Sequence, residues 1–188
     1  MFHGLFHDLF QVVRVTAQAH PFWCLPIAAG IAFSESFIGV SIIIPGTTLL
    51  LTLGGVIGAT HISILPAIVG ATLGSIAGDW ISYWIGLRYH HQILHVWPFR
   101  RFEAQIEKGL HFFQKWGPWA IFVGRFTGPL RATVPLVAGM SETGFWPFQL
   151  ANAASAVIWA VAILVFPSAV VHLVTATYHY LGTLNPLS

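Results

Sequence analysis

The chain has 188 residues; 56% of them are apolar, eight are Lys or Arg, and six are Asp or Glu. Charged residues make up 7% of the chain, against roughly 25% in soluble domains. So few charges cannot cover a water-soluble globule, and the apolar, aromatic-rich composition excludes a disordered chain. The sequence predicts an all-α integral membrane protein with a single membrane domain, residues 1–188. The net charge of +2 does not indicate nucleic acid, because the basic residues are scattered or lie in one loop.

Charge-free runs predict where the chain meets the membrane. Residues 15–34 form a first run of about one bilayer crossing, which we interpret as a retained span rather than a cleaved signal peptide. Residues 36–60 continue without charge but contain helix breakers, so that each half is too short to span. We predict a first re-entrant hairpin here. Its backbone polar groups must be hydrogen-bonded by surrounding protein or by water in a cavity. Its breakers are Pro45, Gly46, Gly54, Gly55 and Gly58.

A second span is predicted over residues 68–87. Small residues recur there every four positions and form a ridge that lets another helix approach closely. Asp79 and Tyr83 lie one turn apart beside the ridge, where a helix–helix hydrogen bond is the simpler expectation. The ridge consists of Gly70, Gly74, Gly78, Ser82 and Gly86.

Residues 88–115 are the polar part of the chain and carry five of its eight basic residues. The positive-inside rule therefore places this segment in the cytoplasm. Apolar residues recur at three- and four-residue steps from Phe99 to Phe113, opposite charged positions. This pattern predicts an amphipathic helix, either lying on the membrane surface or packed on another helix of the same protein.

A second re-entrant hairpin is predicted over residues 116–140, where the breaks are Gly128-Pro129 and Pro135. It is followed by a third span, residues 146–166. Residues 168–182, after Pro167, form either a separate terminal helix or a kinked continuation. Interrupted segments at matching places in two halves are typical of transporters. The sequence thus predicts an inverted-repeat bundle with two re-entrant hairpins.

Arg125 and Arg131 are charges inside a predicted membrane segment, which is costly enough to require a reason. On a continuous helix their six-residue spacing would set them about 240 degrees apart around the axis. Gly128-Pro129 breaks the helix between them, so both guanidinium groups can converge on one anion. The planar fork of Arg suits phosphate. Alternatively, each Arg pairs with Glu35 or Asp79, and both roles can coexist.

Glu35 stands at the mouth of the first hairpin and can act as a proton carrier or as a plain salt-bridge partner. Asp79 is the next residue to consider for proton coupling. The ten histidines do not predict a metal site. His91 and His95 lie one helical turn apart, but no Cys or carboxylate nearby completes a zinc site.

These residues resemble the DedA family, also called SNARE-associated or VTT-domain proteins, over about residues 33–160. The resemblance is carried by Glu35 with Pro45-Gly46, by Gly78-Asp79-x-x-x-Tyr83-x-x-Gly86, by Gly124-Arg125-Phe126-x-Gly128-Pro129-x-Arg131 with Pro135 and Ala138-Gly139-Met140, and by Phe148-x-x-x-Asn152 with Trp159.

The resemblance implies a multi-pass protein of the bacterial inner membrane that moves a lipid phosphate, undecaprenyl phosphate or a phospholipid, using protons. It maps the family's essential acidic residue to Glu35 and its two arginines to Arg125 and Arg131. Several members carry an acidic residue immediately after the Pro-Gly pair, where this chain has Thr47 followed by Thr48. We expect Thr47, Thr48, Gly128 and Pro129 to complete the substrate site. A homo-oligomer is compatible with the sequence, and no cofactor is predicted.

Two other functional classes compete with the transporter. A membrane enzyme acting on a lipid phosphate would also use two arginines. The sequence, however, lacks a paired Asp motif for magnesium and a Ser or Cys beside a dedicated base. A membrane scaffold that associates through the glycine ridge leaves the buried arginines without a role.

Overall fold

The computed structural model describes residues 15, 21–37, 40, 45–60, 62–90, 103–117, 119–127 and 131–184. Within these ranges the regular elements are all helices, in agreement with the predicted all-α class. A short 3-10 turn, Pro21–Trp23, precedes the first of them. The helices are α1 Cys24–Ser36, α2 Gly46–Thr60, α3 Leu65–Tyr89, α4 Glu103–Trp116, α5 Trp119–Gly124, α6 Thr133–Met140 and α7 Phe145–Leu184.

Helix α7 passes through Pro167 without interruption, so the continuation is seen rather than a separate terminal helix. Of the described helices, one has a segment long and apolar enough to cross a membrane, the 33 residues Phe145–Thr177 of α7. Helices α1 and α2 are apolar but shorter, with 13 and 15 residues.

Helix α2 corrects the predicted position of the first break. It runs continuously through Gly54, Gly55 and Gly58, which were expected to interrupt it, and begins immediately after Pro45. A glycine inside a helix costs only about 1 kcal/mol relative to alanine. Two of these glycines instead allow close packing: a Cβ on Gly58 would lie 2.8 Å from the Cα of Ser168 in α7, and Gly54 meets the α7 backbone in the same way.

The predicted small-residue ridge packs α3 against α1. Cβ atoms on Gly70 and Gly74 would collide with the carbonyl oxygens of Leu25 and Ala29, and one on Gly78 would lie 2.8 Å from that of Phe33. Both sets of residues advance by four in the same direction, so the two helices run parallel. Parallel neighbours require a connection that returns along the bundle, and α2 lies between them in the chain.

The end of the ridge serves a different helix. Gly86 of α3 faces the backbone of α6 at Leu136, and Gly139 of α6 faces the backbone of α3 at Tyr83. The Tyr83 hydroxyl donates a hydrogen bond to the carbonyl of Thr143, in the turn that leads into α7. The short helix of each broken segment therefore packs on a long helix of the other half, α2 on α7 and α6 on α3.

Helix α4 contains the amphipathic part of the polar segment. Of the two alternatives predicted for it, packing on a neighbouring helix is seen. Ile106 and Phe113 are buried in one cluster with residues of α6, including Leu136 and Val137. The opposite face is exposed and carries Glu103, Glu107, Lys108 and Lys115. Burying one apolar stripe while leaving the charges outside is what the 3.6-residue period of a helix achieves.

Candidate functional site

The two interrupted segments meet at one place. Helix α1 ends at Ser36 and α2 begins at Gly46, while α5 ends at Gly124 and α6 begins at Thr133. Arg125 and Arg131 thus lie outside helices, in the turns on either side of the second break. Freed from a common helix axis, both arginines reach one cavity.

This cavity has a volume of about 280 Å³. It is lined by side chains from both breaks and by one face of α7, so three distant parts of the sequence build it. The lining residues are Glu35, Thr47, Arg125, Phe126, Arg131, Trp159, Ala162 and Ile163.

Arg131 is bound on two sides and open on a third. Its Nη1 donates to Oε1 of Glu35 at 2.8 Å, and its Nη2 donates to the Ser36 hydroxyl at 3.3 Å. The ring of Trp159 covers one face of the guanidinium, with 3.7 Å from Cζ to the ring centroid, a cation–π contact. Its Nε, although buried, has no hydrogen-bond partner among the described residues.

Glu35 holds its carboxylate between the two breaks. Besides the ion pair with Arg131, Oε1 accepts a hydrogen bond from the Thr47 hydroxyl. The other oxygen, Oε2, is buried with no partner in the part of the chain that the structure describes. A Cβ on Gly46 would lie 2.6 Å from this oxygen. Glycine at the start of α2 therefore lets the carboxylate lie against the helix backbone.

Arg125 is held more completely. Its Nε donates to the Ser155 hydroxyl at 2.9 Å, Nη1 donates to Ser75, and Nη2 donates to Asn152 at 2.5 Å and to the carboxylate of Asp79. Asp79 is only 2% exposed, so the ion pair is fully buried. All three guanidinium nitrogens are engaged. Asp79 Oδ1 is the one oxygen of this group left without a partner within the described ranges.

Two serine hydroxyls connect the arginines. Ser36, which accepts from Arg131, lies 3.1 Å from the hydroxyl of Ser75, which accepts from Arg125. A single hydrogen-bonded chain therefore runs from Glu35 to Asp79. Buried polar networks of this kind polarise and orient their members together.

The predicted site residues divide into those that line the cavity and those that do not. Glu35, Thr47, Arg125 and Arg131 do, and the expected pairing of each arginine with a carboxylate is also seen. Asp79 lies behind Arg125 and does not line the cavity.

Three remaining predictions concern the breaks themselves. Thr48 is exposed and does not line the cavity. Pro135 lies in the first turn of α6, where proline is tolerated, so the interruption precedes it. Gly128 and Pro129 lie outside the described residues, as do His91 and His95.

Five residues that hold Arg125 or Arg131 have no site role assigned from the sequence, and Ser36 at the end of α1 is the first of them. Ser75 lies one helical turn before Asp79, on the ridge side of α3. Asn152, Ser155 and Trp159 follow one another at three- and four-residue steps in α7 and therefore share a face. Polar residues at helical spacing inside a charge-free span were the available signal.

Comparison with known proteins identifies the family. Residues 44–169, about two thirds of the chain, match the VTT domain family. The chain belongs to the VTT domain family, which confirms the resemblance inferred from its motifs. Inner membrane protein YabI of Escherichia coli is 38% identical over 130 residues, 69% of this chain and 51% of that protein.

Other relatives cover similar shares. Membrane protein BU139 of Buchnera aphidicola is 31% identical over 73% of this chain and 54% of its own length. Protein DedA of Escherichia coli is 27% identical over 73% of this chain and 64% of its own. The chain thus spans about half to two thirds of these relatives, and no solved structure matches it. Family, relatives and composition together identify a membrane protein.

Proposed function

We propose that this chain moves a membrane lipid with a phosphate head group, undecaprenyl phosphate or a phospholipid, across the bacterial inner membrane, coupled to protons. The observation that carries the proposal is the shared cavity, which receives Arg125 and Arg131 from one break and Glu35 from the other. A site that brings cations and a carboxylate together from both halves suits an anion that travels with a proton.

Arg131 is the arginine that we assign to phosphate capture. Its Nε has no partner among the described residues, and the Glu35 contact is a single bond at 2.8 Å that an incoming oxygen can replace. A phosphate offers several acceptor oxygens and can bind the guanidinium edge in bidentate fashion. The Trp159 ring covers one face of the Arg131 guanidinium and thereby fixes the direction in which its edge points.

Glu35 is the residue that we assign to the proton. Two guanidinium groups and two carboxylates form the network, so their formal charges cancel. An anion that binds there leaves an uncompensated negative charge in a buried site, which is costly. Protonation of Glu35 removes that charge when phosphate takes its place on Arg131. Lipid binding and proton uptake are then linked through competition for one cation.

The test of this function is transport by Glu35→Gln in proteoliposomes. We expect the variant to bind lipid phosphate at least as well as the parent but to lose the dependence of transport on a pH gradient. Glu107→Gln, on the exposed face of α4, is the matched control and should behave as the parent. Gradient-dependent transport that persists in Glu35→Gln would assign the proton to another group, with Asp79 the next to test.

The same proposal includes re-entrant hairpins and an inverted repeat. At about 1.5 Å per residue, α2 is about 22 Å long and α6 about 12 Å, against about 30 Å of hydrocarbon. The reciprocal packing of α2 on α7 and α6 on α3 is what a pseudo-twofold repeat requires. We expect cysteines at the two ends of α2 to be labelled from the same side of oriented vesicles. Labelling from opposite sides would make α2 a span.

An enzyme acting on a lipid phosphate is a second candidate, because Thr47 donates to Glu35 in the manner of a nucleophile to its base. Hydrolysis would release inorganic phosphate, which the transporter does not. Thr47→Val would abolish such release while leaving lipid binding to the arginines. We expect no phosphate release from parent or variant, and release lost in Thr47→Val would favour the enzyme.

A further inference from the structure

The cavity has one wall unlike the others. The two arginines that line it are buried, with Arg125 5% and Arg131 7% exposed. Two other lining residues, Phe126 at 50% and Ala162 of α7, are exposed. Among the described lining residues, the arginines therefore lie inside and these two apolar side chains lie at the opening.

The open wall lies at mid-depth of the membrane segment. Trp159, Ala162 and Ile163 line the cavity and lie near the middle of Phe145–Thr177, the segment long enough to cross a bilayer. An opening at that level faces hydrocarbon rather than water, since a bilayer core is about 30 Å thick. A ligand that uses it must arrive from within the bilayer.

The size of the cavity limits what enters it. Its volume of about 280 Å³ is at the lower limit of small-molecule pockets, roughly 300–1,000 Å³. A phosphate head group fits beside the arginines, whereas a long apolar chain does not. An apolar chain would find a matching surface outside the cavity. Ile158 and Phe166 lie four residues on either side of Ala162, on the same face of α7. They are 50% and 71% exposed.

We propose that the gap between Phe126 and Ala162 is a lateral portal through which a membrane amphiphile inserts its anionic head group. Its apolar chain stays in the bilayer along Ile158, Ala162 and Phe166. This inference rests on the proposed function and specifies its ligand as a lipid rather than a soluble phosphate. Free phosphate shares the head-group chemistry, and chain length separates the two sources.

The first experiment compares two radiolabelled probes, butyl phosphate and dodecyl phosphate, on the full chain in phosphatidylcholine nanodiscs. Ala162→Trp fills the portal and is expected to weaken binding of both probes at least tenfold, because either head group must pass this opening. Phe166→Ser, on the exposed chain surface outside the cavity lining, should weaken dodecyl phosphate binding alone. Val157→Trp, at an exposed residue on another face of α7 and outside the cavity lining, should change neither. Partition into the bilayer is common to all variants and cancels from these ratios.

The outcomes separate the portal from the function beneath it. Unchanged binding of the probes in Ala162→Trp, or equal effects of Phe166→Ser on the two probes, would overturn the portal and leave phosphate binding intact. A parent protein that binds neither probe would overturn the proposed function, and the portal with it.

A second experiment tests the opening without any ligand. The chain has one cysteine, Cys24, which is buried. A nitroxide on Ala162→Cys in a Cys24→Ala background should collide mainly with oxygen, which concentrates in hydrocarbon. The same label on Lys115→Cys, on the exposed face of α4, should collide mainly with a water-soluble nickel chelate. Nickel-dominated collisions at position 162 would place the opening in water and overturn the proposal.

Discussion

The two buried arginines differ in how completely they are bound. Arg125 uses all three nitrogens on four partners, one of them the carboxylate of Asp79. The Nε atom of Arg131 has no partner among the described residues. Arg131 binds Oε1 of Glu35, and the second oxygen, Oε2, also lacks a partner in those residues. The fully bonded guanidinium of Arg125 resembles a structural anchor, although Asp79 Oδ1 has no partner in the described ranges. The Glu35–Arg131 pair, in which both members keep an unpaired buried atom, has room to exchange partners.

This difference has an energetic basis. A buried network with every member satisfied is rigid, whereas an unsatisfied buried group is costly and calls for an explanation. A site that must bind and release an anion gains from such unsatisfied atoms, because the ligand supplies the missing bonds. We therefore expect damage to the Asp79–Arg125 pair to appear mainly as lost stability, and damage to the Glu35–Arg131 pair mainly as lost transport.

The largest effect is expected for Asp79→Ala. Removing one partner of a buried ion pair leaves an uncompensated charge and costs about 3–5 kcal/mol. The free energy of unfolding in mixed detergent micelles measures it. Glu35→Ala is the comparison and should cost less, because the cavity beside Arg131 gives the freed cation access to water or lipid phosphate. Equal losses in the two variants would contradict the distinction between anchor and exchangeable pair.

The next largest effect is expected when each arginine is replaced by lysine, and it should distinguish the Asp79–Arg125 pair from the Glu35–Arg131 pair. Lysine keeps the charge but loses the planar fork, so transport in proteoliposomes should fall in both Arg125→Lys and Arg131→Lys. Only Arg125→Lys should also lose stability, by about 1–3 kcal/mol, because one ammonium cannot satisfy groups as widely spread as Ser155, Ser75 and Asn152. Full transport in both lysine variants would contradict the proposal that the arginines bind the anion in bidentate fashion.

Gly46→Ala probes the exchangeable pair from the side of α2. The added Cβ would lie 2.6 Å from Glu35 Oε2 and 2.8 Å from Glu35 Cβ, so the Glu35 side chain must shift away from α2 and its bond to Arg131 is disturbed. Overpacking of this kind costs about 1–3 kcal/mol, and the pH-gradient dependence of transport should weaken with it.

Gly30→Ala is the control for that variant. It lies in α1, and a Cβ there meets nothing within 4 Å. A helical Gly→Ala change in open space should stabilise the protein by about 0.5–1 kcal/mol and leave transport unchanged. If Gly46→Ala behaved in the same way, the close approach of α2 to Glu35 would be irrelevant to function.

The sequence predicts the charged residues of the site better than the contacts that link them. Arg125, Arg131 and Glu35 were identified because a charge inside an apolar run needs a reason, and such a signal survives without any structure. Ser36 and Ser75 gave no comparable signal, since serine is common in apolar helices and its role depends on which helices meet. Likewise, Gly54 and Gly58 look like helix breakers in the sequence, because their packing against α7 is a tertiary property.

The smallest expected effect concerns the bridge between the two pairs. Ser36→Ala and Ser75→Ala each remove one end of a 3.1 Å hydroxyl contact, and a hydrogen bond contributes about 1 kcal/mol net. Ser34→Ala is the control, because its hydroxyl bonds to the Gly30 carbonyl of its own helix, at 2.8 Å, and among the described residues it has no bond to either pair.

A double-mutant cycle on Ser36 and Ser75 decides whether the bridge carries coupling. Contacting residues in one network interact by about 0.5–3 kcal/mol, whereas independent sites add within about 0.3–0.5 kcal/mol. We expect the unfolding free energies of the two variants to be non-additive, because each serine also accepts from an arginine. Additive costs would mean that the anchor and the exchangeable pair act separately. Non-additive costs accompanied by slower transport would mean that occupancy of Arg131 is sensed at Arg125, so that the two arginines form one site.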